Sequence, residues 1–210
     1  VAGSKYLGDN STLLAPGVEP PTWTEMAVIG RSNVGKSSLL NALLGSKDNK
    51  FVSVSRHPGS TTHLDFYAVG LSNPPQLVIV DTPGYGYNKR GKDAQGEWFR
   101  LIRHYLKNRN PTILPRTLLL IDARQGLQAL DVEVMNMLEG VYAPYHVVLT
   151  KADLVSEAAL ESLVMQIAAR LSKFQLPFPL LNAVSSKSGE GISQLHECIM
   201  LSLKLYRKSV

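Results

Sequence analysis

Short apolar runs alternate with amphipathic stretches along most of the chain. The runs at 26–29, 64–69, 76–80, 118–121, 147–149 and 179–184 predict six strands, because they are short and rich in apolar residues. Apolar positions three or four residues apart predict helices at 38–44, 94–109, 130–141, 160–171 and 192–206. Strands that alternate with helices in this way favour a parallel sheet covered by helices on both faces.

The link between the second and third strands differs from the others. Residues 70–75 are too few for a crossover helix, so these two strands are predicted to form an antiparallel hairpin. The predicted fold is therefore α/β with three layers, built on a mostly parallel six-stranded sheet that contains one antiparallel strand. Residues 1–23 carry Pro16, Pro20 and Pro21 and little apolar periodicity, which predicts an irregular N-terminal extension before a single domain at 24–210.

The segment GRSNVGKS at 30–37 lies between the first strand and the first helix and matches the phosphate-binding pattern G-x-x-x-x-G-K-[ST] at every fixed position. Its glycines let the main chain turn close to an anion, so that successive N–H groups face phosphate oxygens. The following helix adds the positive end of its dipole. Lys36 is expected to neutralise β- and γ-phosphate charge, and Ser37 to offer its hydroxyl to Mg²⁺. The alternative is a glycine-rich turn that only caps a helix.

The motif DTPG at 81–84 follows the third strand, at the edge where parallel sheets bind ligands. Asp81 is placed to hold Mg²⁺ through water, and the Gly84 N–H to contact a γ-phosphate.

Two motifs at the ends of later strands indicate which nucleotide base the site binds. TKAD at 150–153 offers the Asp153 carboxylate, which can accept two parallel N–H donors from guanine, while the methylene stem of Lys151 lies over the base. The SSK motif at 185–187 offers a main-chain N–H to the guanine carbonyl. The alternative is that Thr150, Asp153 and Ser185 serve only as helix caps.

The order and wording of these motifs resemble the EngB (YihA/YsxC) family of ribosome-biogenesis GTPases, a branch of the translation-factor-related small GTPases. The resemblance covers about 24–206 and rests on GRSNVGKSSL at 30–39, PGST at 58–61, PGYGY at 83–87 and LTKAD at 149–153. It implies the Ras-like P-loop GTPase fold, bound GTP or GDP, and Mg²⁺ held by Ser37, by Thr61 and, through water, by Asp81.

Motifs and resemblance together define the expected site. Catalysis is assigned to Lys36, Thr61 and Gly84. The residues expected to bind GTP are Gly30, Arg31, Ser32, Asn33, Val34, Gly35, Lys36, Ser37, Ser38, Gly59, Ser60, Thr61, Asp81, Thr82, Pro83, Gly84, Thr150, Lys151, Asp153, Ser185, Ser186 and Lys187.

Tyr85 stands where Ras-like enzymes carry the glutamine that orients the attacking water. Intrinsic hydrolysis is therefore expected to be slow and to be stimulated by K⁺ or by the ribosomal particle. The resemblance makes Asn33 the candidate K⁺ ligand, and the alternative is that Asn33 only braces the loop. A GTP-binding scaffold with little hydrolysis remains an open alternative, as does a P-loop kinase or ATPase, against which Asp153 argues.

The net charge of +5 is concentrated in one segment, 89–116, which holds eight Lys or Arg residues and two acids. A solvated helix face is the usual role of such a run. Because the segment begins inside the switch II loop that follows DTPG, contact with ribosomal RNA is the favoured interpretation. The expected RNA-binding residues are Lys89, Arg90, Lys92, Arg100, Arg103, Lys107 and Arg109. The partner implied by the resemblance is a large ribosomal subunit precursor.

Composition bounds the remaining expectations. With 44% hydrophobic and 19% charged residues the chain of 210 residues reads as globular. It contains no apolar run long enough for a membrane span and no apolar centre of a signal peptide near its start. An intracellular monomer is expected, with a mitochondrial or plastid matrix favoured over a bacterial cytoplasm because of the basic character and the missing Met at the start.

Overall fold

The structure is a computed structural model that describes residues 4–9, 22–45, 63–70, 75, 77–86, 91–109 and 111–208, with backbone alone for 4, 91–93 and 204–208. Within these residues seven strands form one sheet and five α-helices cover it. The strands are β1 Ser4–Asp9, β2 Thr24–Gly30, β3 Asp65–Val69, β4 Leu77–Asp81, β5 Arg116–Asp122, β6 Tyr145–Thr150 and β7 Asn182–Val184. The helices are α1 Lys36–Leu43, α2 Gly91–Lys107, α3 Ala129–Gly140, α4 Glu157–Leu171 and α5 Ile192–Lys208.

The sheet order is β1-β3-β4-β2-β5-β6-β7. Strands β4, β2, β5, β6 and β7 run parallel to one another, whereas β3 runs antiparallel to both β4 and β1. The predicted hairpin and the single antiparallel strand are therefore confirmed. The parallel strands end at one edge, so the loops after β2, β4, β6 and β7 lie together there.

The prediction of six strands was one short, because β1 lies in the stretch expected to be irregular. Its sequence, SKYLGD, has only two adjacent apolar residues and gives no periodic signal. The strand exists because the outer edge of β3 offers it a hydrogen-bonding partner, with Lys5 opposite Ala68 and Asp9 opposite Asp65. The Tyr6 hydroxyl also donates to Asp65 at 3.2 Å. The three prolines of the expected extension lie outside the described residues.

Apolar side chains form a core on each face of the sheet. On one face β2, β4, β5 and β6 pack against α2, α3 and α4 through buried residues that include Ile102, Tyr105, Leu138 and Ile167. On the other face α1 and α5 bury Leu39, Leu40, Leu195 and Ile199. The three-layer prediction is confirmed. Among the described residues no helix is long and apolar enough to cross a bilayer.

A buried carboxylate anchors the end of α2 far from the strand ends that carry the motifs. Glu25, near the start of β2, accepts a hydrogen bond from the Tyr105 hydroxyl at 2.8 Å and one from Arg109 Nε at 2.9 Å. Burial, reinforced by the neighbouring Glu25, raises the pKa of Tyr105 well above its ordinary value, so the phenol remains a donor. These bonds fix α2 against the sheet.

Another buried polar side chain, His146 in β6, sits at the same end of the sheet. Its imidazole is buried, and its centroid lies 5.0 Å from that of the Phe178 ring. The Arg116 guanidinium lies over the same Phe178 ring, with Cζ 4.5 Å from the centroid. Burial, with a further contribution from the positive charge of Arg116, lowers the pKa of His146 to about 4. The folded chain therefore keeps this ring neutral where an unfolded chain protonates it.

We predict that His146 makes folding stability fall with acidification. An unfolded histidine binds its proton near pH 6.5 and the folded one only near pH 4, so stability is complete above the higher value and is lost as the pH falls between them. From about pH 7 to about pH 5 the loss attributable to His146 is about 2 kcal/mol. Urea unfolding of wild type and His146→Leu at both pH values measures it, with His196→Leu, which removes an exposed histidine, as the matched control. Parallel pH dependence in wild type and His146→Leu would contradict the assignment.

Candidate nucleotide-binding site

The loop between β2 and α1 has the shape of an anion cradle. A Cβ on Gly30 would lie 2.7 Å from Val34 Cγ1 and 3.1 Å from the Leu120 carbonyl oxygen, so only glycine fits there. Asn33 has φ 63° and Gly35 has φ 106°, both left-handed. Left-handed residues within a tight loop turn main-chain N–H groups toward a common concavity. Helix α1 begins directly after this loop, so its positive dipole end faces the same point.

Two opposite charges lie inside the cradle without full solvation. Lys36 Nζ is 3.5 Å from the Gly30 carbonyl oxygen, and Asp81 is buried at the end of β4. Burial raises the pKa of Asp81 to about 6 although Lys36 opposes the rise, and burial lowers the pKa of Lys36. Within the described residues, Asp81 Oδ1 is buried with no hydrogen-bond partner. An amine beside an unsatisfied carboxylate oxygen fits a phosphate together with a divalent cation.

Ser37, in the first turn of α1, is half-buried next to Lys36 and completes the described part of the expected Mg²⁺ site. Thr61, the other expected Mg²⁺ ligand and catalytic residue, lies outside the described residues, as do Gly59 and Ser60.

The DTPG loop is bonded to the phosphate loop. A Cβ on Gly84 would lie 2.8 Å from the Ser32 main chain, and Ser32 Oγ donates to the Gly84 carbonyl at 3.2 Å. The Ser32 N–H donates to the Tyr85 carbonyl at 2.9 Å. Thr82 was expected to bind nucleotide, but its buried hydroxyl donates to the Val28 carbonyl at 2.8 Å and so ties β4 to β2.

Tyr85 is buried, and its hydroxyl is already hydrogen-bonded. Its ring is buried against Trp98, with centroids 5.0 Å apart, and its hydroxyl donates to Asp131 Oδ1 at 2.7 Å. Arg31 Nε of the phosphate loop lies 3.2 Å from the same oxygen, and the other Asp131 oxygen accepts the Gln128 N–H at 2.8 Å. Asp131, in α3, thus links the phosphate loop to the residue after Gly84.

The last residue of β6 and the residue after it hold the phosphate loop from a third side. The Thr150 hydroxyl donates to the Val34 carbonyl at 2.6 Å, and Lys151 Nζ donates to the Asn33 carbonyl at 2.5 Å. Thr150 was expected to contact GTP, yet its hydroxyl is buried and serves the loop. Lys151 Nζ also lies 2.9 Å from Asp122. Although burial would raise the pKa of Asp122, hydrogen bonds from Arg124 and Lys151 hold it at about 2, so Asp122 stays charged.

The candidate base site combines the turns after β6 and β7, which pair in parallel with Thr150 opposite Val184. Asp153 is exposed in the 3₁₀ turn Ala152–Leu154. In the turn after β7, Ser185 Oγ accepts the Lys187 N–H at 3.2 Å and the Ser188 N–H at 3.1 Å. The Ser185 side chain therefore closes this turn and is not the N-cap of a helix, because the next helix begins at Ile192.

Some of the expected RNA-binding residues are exposed, whereas one is held in an ion pair. Arg100, Arg103 and Lys107 are exposed on α2. The Arg109 guanidinium is nearly buried in its ion pair with Glu25, so it is a structural residue and is removed from the set. The Lys92 side chain and all of Lys89 and Arg90 lie outside the described residues.

Sequence reasoning missed Asp131 and Trp98, which act on the site through other residues. The pattern Gln128-x-x-Asp131 indicates a helix start, and this is the only local signal that Asp131 gives. Trp98 Nε1 donates to the Pro83 carbonyl at 2.7 Å, a contact between residues that no sequence spacing predicts.

Comparison with known proteins agrees with this geometry. A family model described as 50S ribosome-binding GTPase matches residues 25–151. The probable GTP-binding protein EngB of Mesorhizobium japonicum is 39% identical over 183 residues, which cover 85% of this chain and 84% of that protein. The protein of the same name from Rhodospirillum rubrum is 42% identical over 173 residues, covering 82% of this chain and 73% of that protein.

Solved structures share the fold. Aquifex aeolicus Era, bound to GDP and aluminium fluoride, aligns with a TM-score of 0.66 and 25% identity over 85% of this chain and 56% of the Era chain. A crystal structure of a probable GTP-binding protein EngB aligns with a TM-score of 0.65 over 86% of this chain and 99% of that chain, at 23% identity. The resemblance stated from the motifs is confirmed: the chain belongs to the EngB family of P-loop GTPases, which bind GTP and GDP with Mg²⁺.

Proposed function

We propose that this GTPase is a switch in the assembly of the large ribosomal subunit and that it contacts ribosomal RNA through exposed basic side chains of α2. The description of the matching family model, 50S ribosome-binding GTPase, supports the partner. A structure of Era, 24% identical, is described as a complex with part of 16S ribosomal RNA. The observation that carries the proposal is the direct bond between α2 and the DTPG loop.

That bond joins the helix to the residue before Gly84. The Trp98 indole N–H donates to the Pro83 carbonyl at 2.7 Å, and the Trp98 ring packs on Tyr85. Arg100 and Arg103 follow Trp98 within about one and a half turns of the same helix and are exposed. Since Gly84 is the residue expected to sense the γ-phosphate, a change of the loop with nucleotide state moves the basic face with it.

The nucleotide-binding roles follow from the site. Lys36 neutralises phosphate charge, and Asp153 selects guanine. Ser37, Thr61 and, through water, Asp81 hold Mg²⁺, which supplies further neutralisation of the phosphates. These roles are inferred from position and chemistry, and the unsatisfied Asp81 oxygen is their strongest support.

We expect slow hydrolysis because Tyr85 is buried and its hydroxyl is already hydrogen-bonded. A buried phenol whose proton is committed to Asp131 does not orient a water molecule, and burial together with Asp131 raises its pKa well above the ordinary value. Stimulation must then come from the particle or from K⁺ at Asn33, whose side chain is exposed.

The buried, hydrogen-bonded Tyr85 also favours a second function, a GTP-binding scaffold with little hydrolysis. Single-turnover hydrolysis in K⁺ and in Na⁺, with and without large-subunit particles, distinguishes the two. A rate that neither addition raises supports the scaffold.

We place the protein, as a monomer, in an intracellular compartment that contains ribosomes. The relatives named above are bacterial, and nothing in the comparisons supports the mitochondrial or plastid matrix over the bacterial cytoplasm. The matrix stays a prediction.

We predict that Tyr85→Phe leaves catalysis nearly intact. The change removes one hydroxyl and keeps the ring on Trp98, while Asp131 retains Arg31 and the Gln128 N–H. The single-turnover rate and the GDP affinity should stay within about threefold of wild type, and the free energy of unfolding should fall by about 1 kcal/mol. A loss of rate of about 100-fold or more, the size of a general acid–base contribution, would make Tyr85 catalytic and contradict this account.

Charge reversal on α2 tests the proposed function. Large-subunit particles should retain the wild-type protein in sedimentation when it is loaded with a non-hydrolysable GTP analogue and should lose it with GDP. Arg100→Glu combined with Arg103→Glu should abolish this retention, because both side chains change from attracting to repelling phosphate. Lys173→Glu, a reversal at an exposed residue after α4, is the matched control and should sediment like wild type. Retention of the double variant would overturn the assigned RNA face.

A further inference from the structure

An aromatic residue occupies a position at the end of α3 that normally takes glycine. Tyr142 has φ 56°, the left-handed region, directly after the capping residue Val141. The Ala143 N–H donates to the Leu138 carbonyl at 3.0 Å and the Tyr142 N–H to the Glu139 carbonyl at 3.0 Å, so the residue closes the last turn. Glycine adopts this conformation without strain, whereas a bulky side chain there destabilises the fold.

Contacts of the Tyr142 ring within the described chain offset little of the destabilisation that its left-handed main chain causes. The residue is 81% exposed, so burial contributes almost nothing. An exposed aromatic ring on a strained main chain therefore points to a contact outside the fold.

A cavity of about 450 Å³ lies beside Tyr142, between the ends of α2 and α3. Its apolar lining includes Leu106, Leu114 and Pro111, and Lys107 stands exposed at its rim. The volume falls in the range of small-molecule sites, and the lining suits a flat, largely apolar group.

The charge beside the cavity is positive. Lys107 continues the exposed basic face of α2 from Arg100 and Arg103, over about 10 Å of helix. Arg109 also lines the cavity, but its ion pair with Glu25 neutralises it. The Glu139 carboxylate, near the end of α3, accepts the main-chain N–H groups of Gln175 and Leu176. A strand of phosphates is therefore attracted along α2 as far as the cavity.

We propose that Tyr142 and this cavity form a binding site for an unpaired nucleotide of RNA, whose base stacks on the Tyr142 ring while the neighbouring phosphates lie along Arg100, Arg103 and Lys107. Stacking platforms beside basic grooves are the general means of binding single-stranded nucleic acid. A duplex keeps its base faces covered and has no use for an exposed ring. The site rests on the proposed contact with RNA and specifies which kind of RNA it selects.

The test uses a labelled single-stranded oligo(A) and a labelled duplex RNA hairpin as probes of the full chain. Tyr142→Gly should weaken oligo(A) binding roughly tenfold, because one stacked base is lost, and should leave hairpin binding unchanged. The same variant should melt about 2–4 °C higher than wild type, because glycine removes the strain. Misfolding cannot produce a protein that is both more stable and a poorer binder. Tyr142→Phe, which keeps the ring, should bind oligo(A) within about twofold of wild type.

Three results would overturn the site: oligo(A) binding by Tyr142→Gly equal to wild type, equal losses in Tyr142→Phe and Tyr142→Gly, or an equal loss for the hairpin. Loss of particle sedimentation in Tyr142→Gly with oligo(A) binding intact would mean that the cavity docks a protein, which also overturns it. The α2 double reversal separates this failure from that of the proposed function. If the reversal abolishes binding of both probes while Tyr142→Gly changes neither, only the stacking site fails.

Discussion

The phosphate loop of this GTPase is held in shape by side chains from two other parts of the fold, the end of β6 and helix α3. The Val34 carbonyl accepts the Thr150 hydroxyl, the Asn33 carbonyl accepts Lys151, and Arg31 lies against Asp131. The loop needs this support because it contains left-handed residues, among them the non-glycine Asn33. A cradle that is already ordered loses less conformational entropy when it binds an anion.

These supports also connect sites that would otherwise be separate. Lys151 and Asp153 share one short turn, so the group that holds the phosphate loop and the group proposed to select guanine belong to one local element. On the other side Ser32 is bonded to Gly84, and the adjoining Pro83 is bonded to Trp98 of α2. Packed and hydrogen-bonded groups therefore run without a break from the phosphate loop to α2, which is the physical route on which the proposed switch depends.

Much of the fold, and the family, could be predicted from the sequence because the signals for both are local. Strand and helix periods, the hairpin link and the GRSNVGKS and DTPG motifs each lie within a few residues of one another. The missed features depend on distant partners. β1 exists only through pairing with β3, and Arg109 lost its expected role to Glu25, a residue 84 positions away. Thr150 and Thr82 looked like ligand contacts because they sit inside motifs, and only the structure shows that their hydroxyls bond to the main chain.

The central claim is that side-chain supports shape the cradle before nucleotide arrives, and Thr150→Val tests it most directly. The change removes one hydroxyl from a buried site with little change of shape, leaving the Val34 carbonyl without its donor. Calorimetric titration with GDP in Mg²⁺ buffer should show an affinity roughly tenfold below wild type, from the loss of one buried hydrogen bond, with the preference for GDP over ADP unchanged. An unchanged affinity for GDP would contradict the claim.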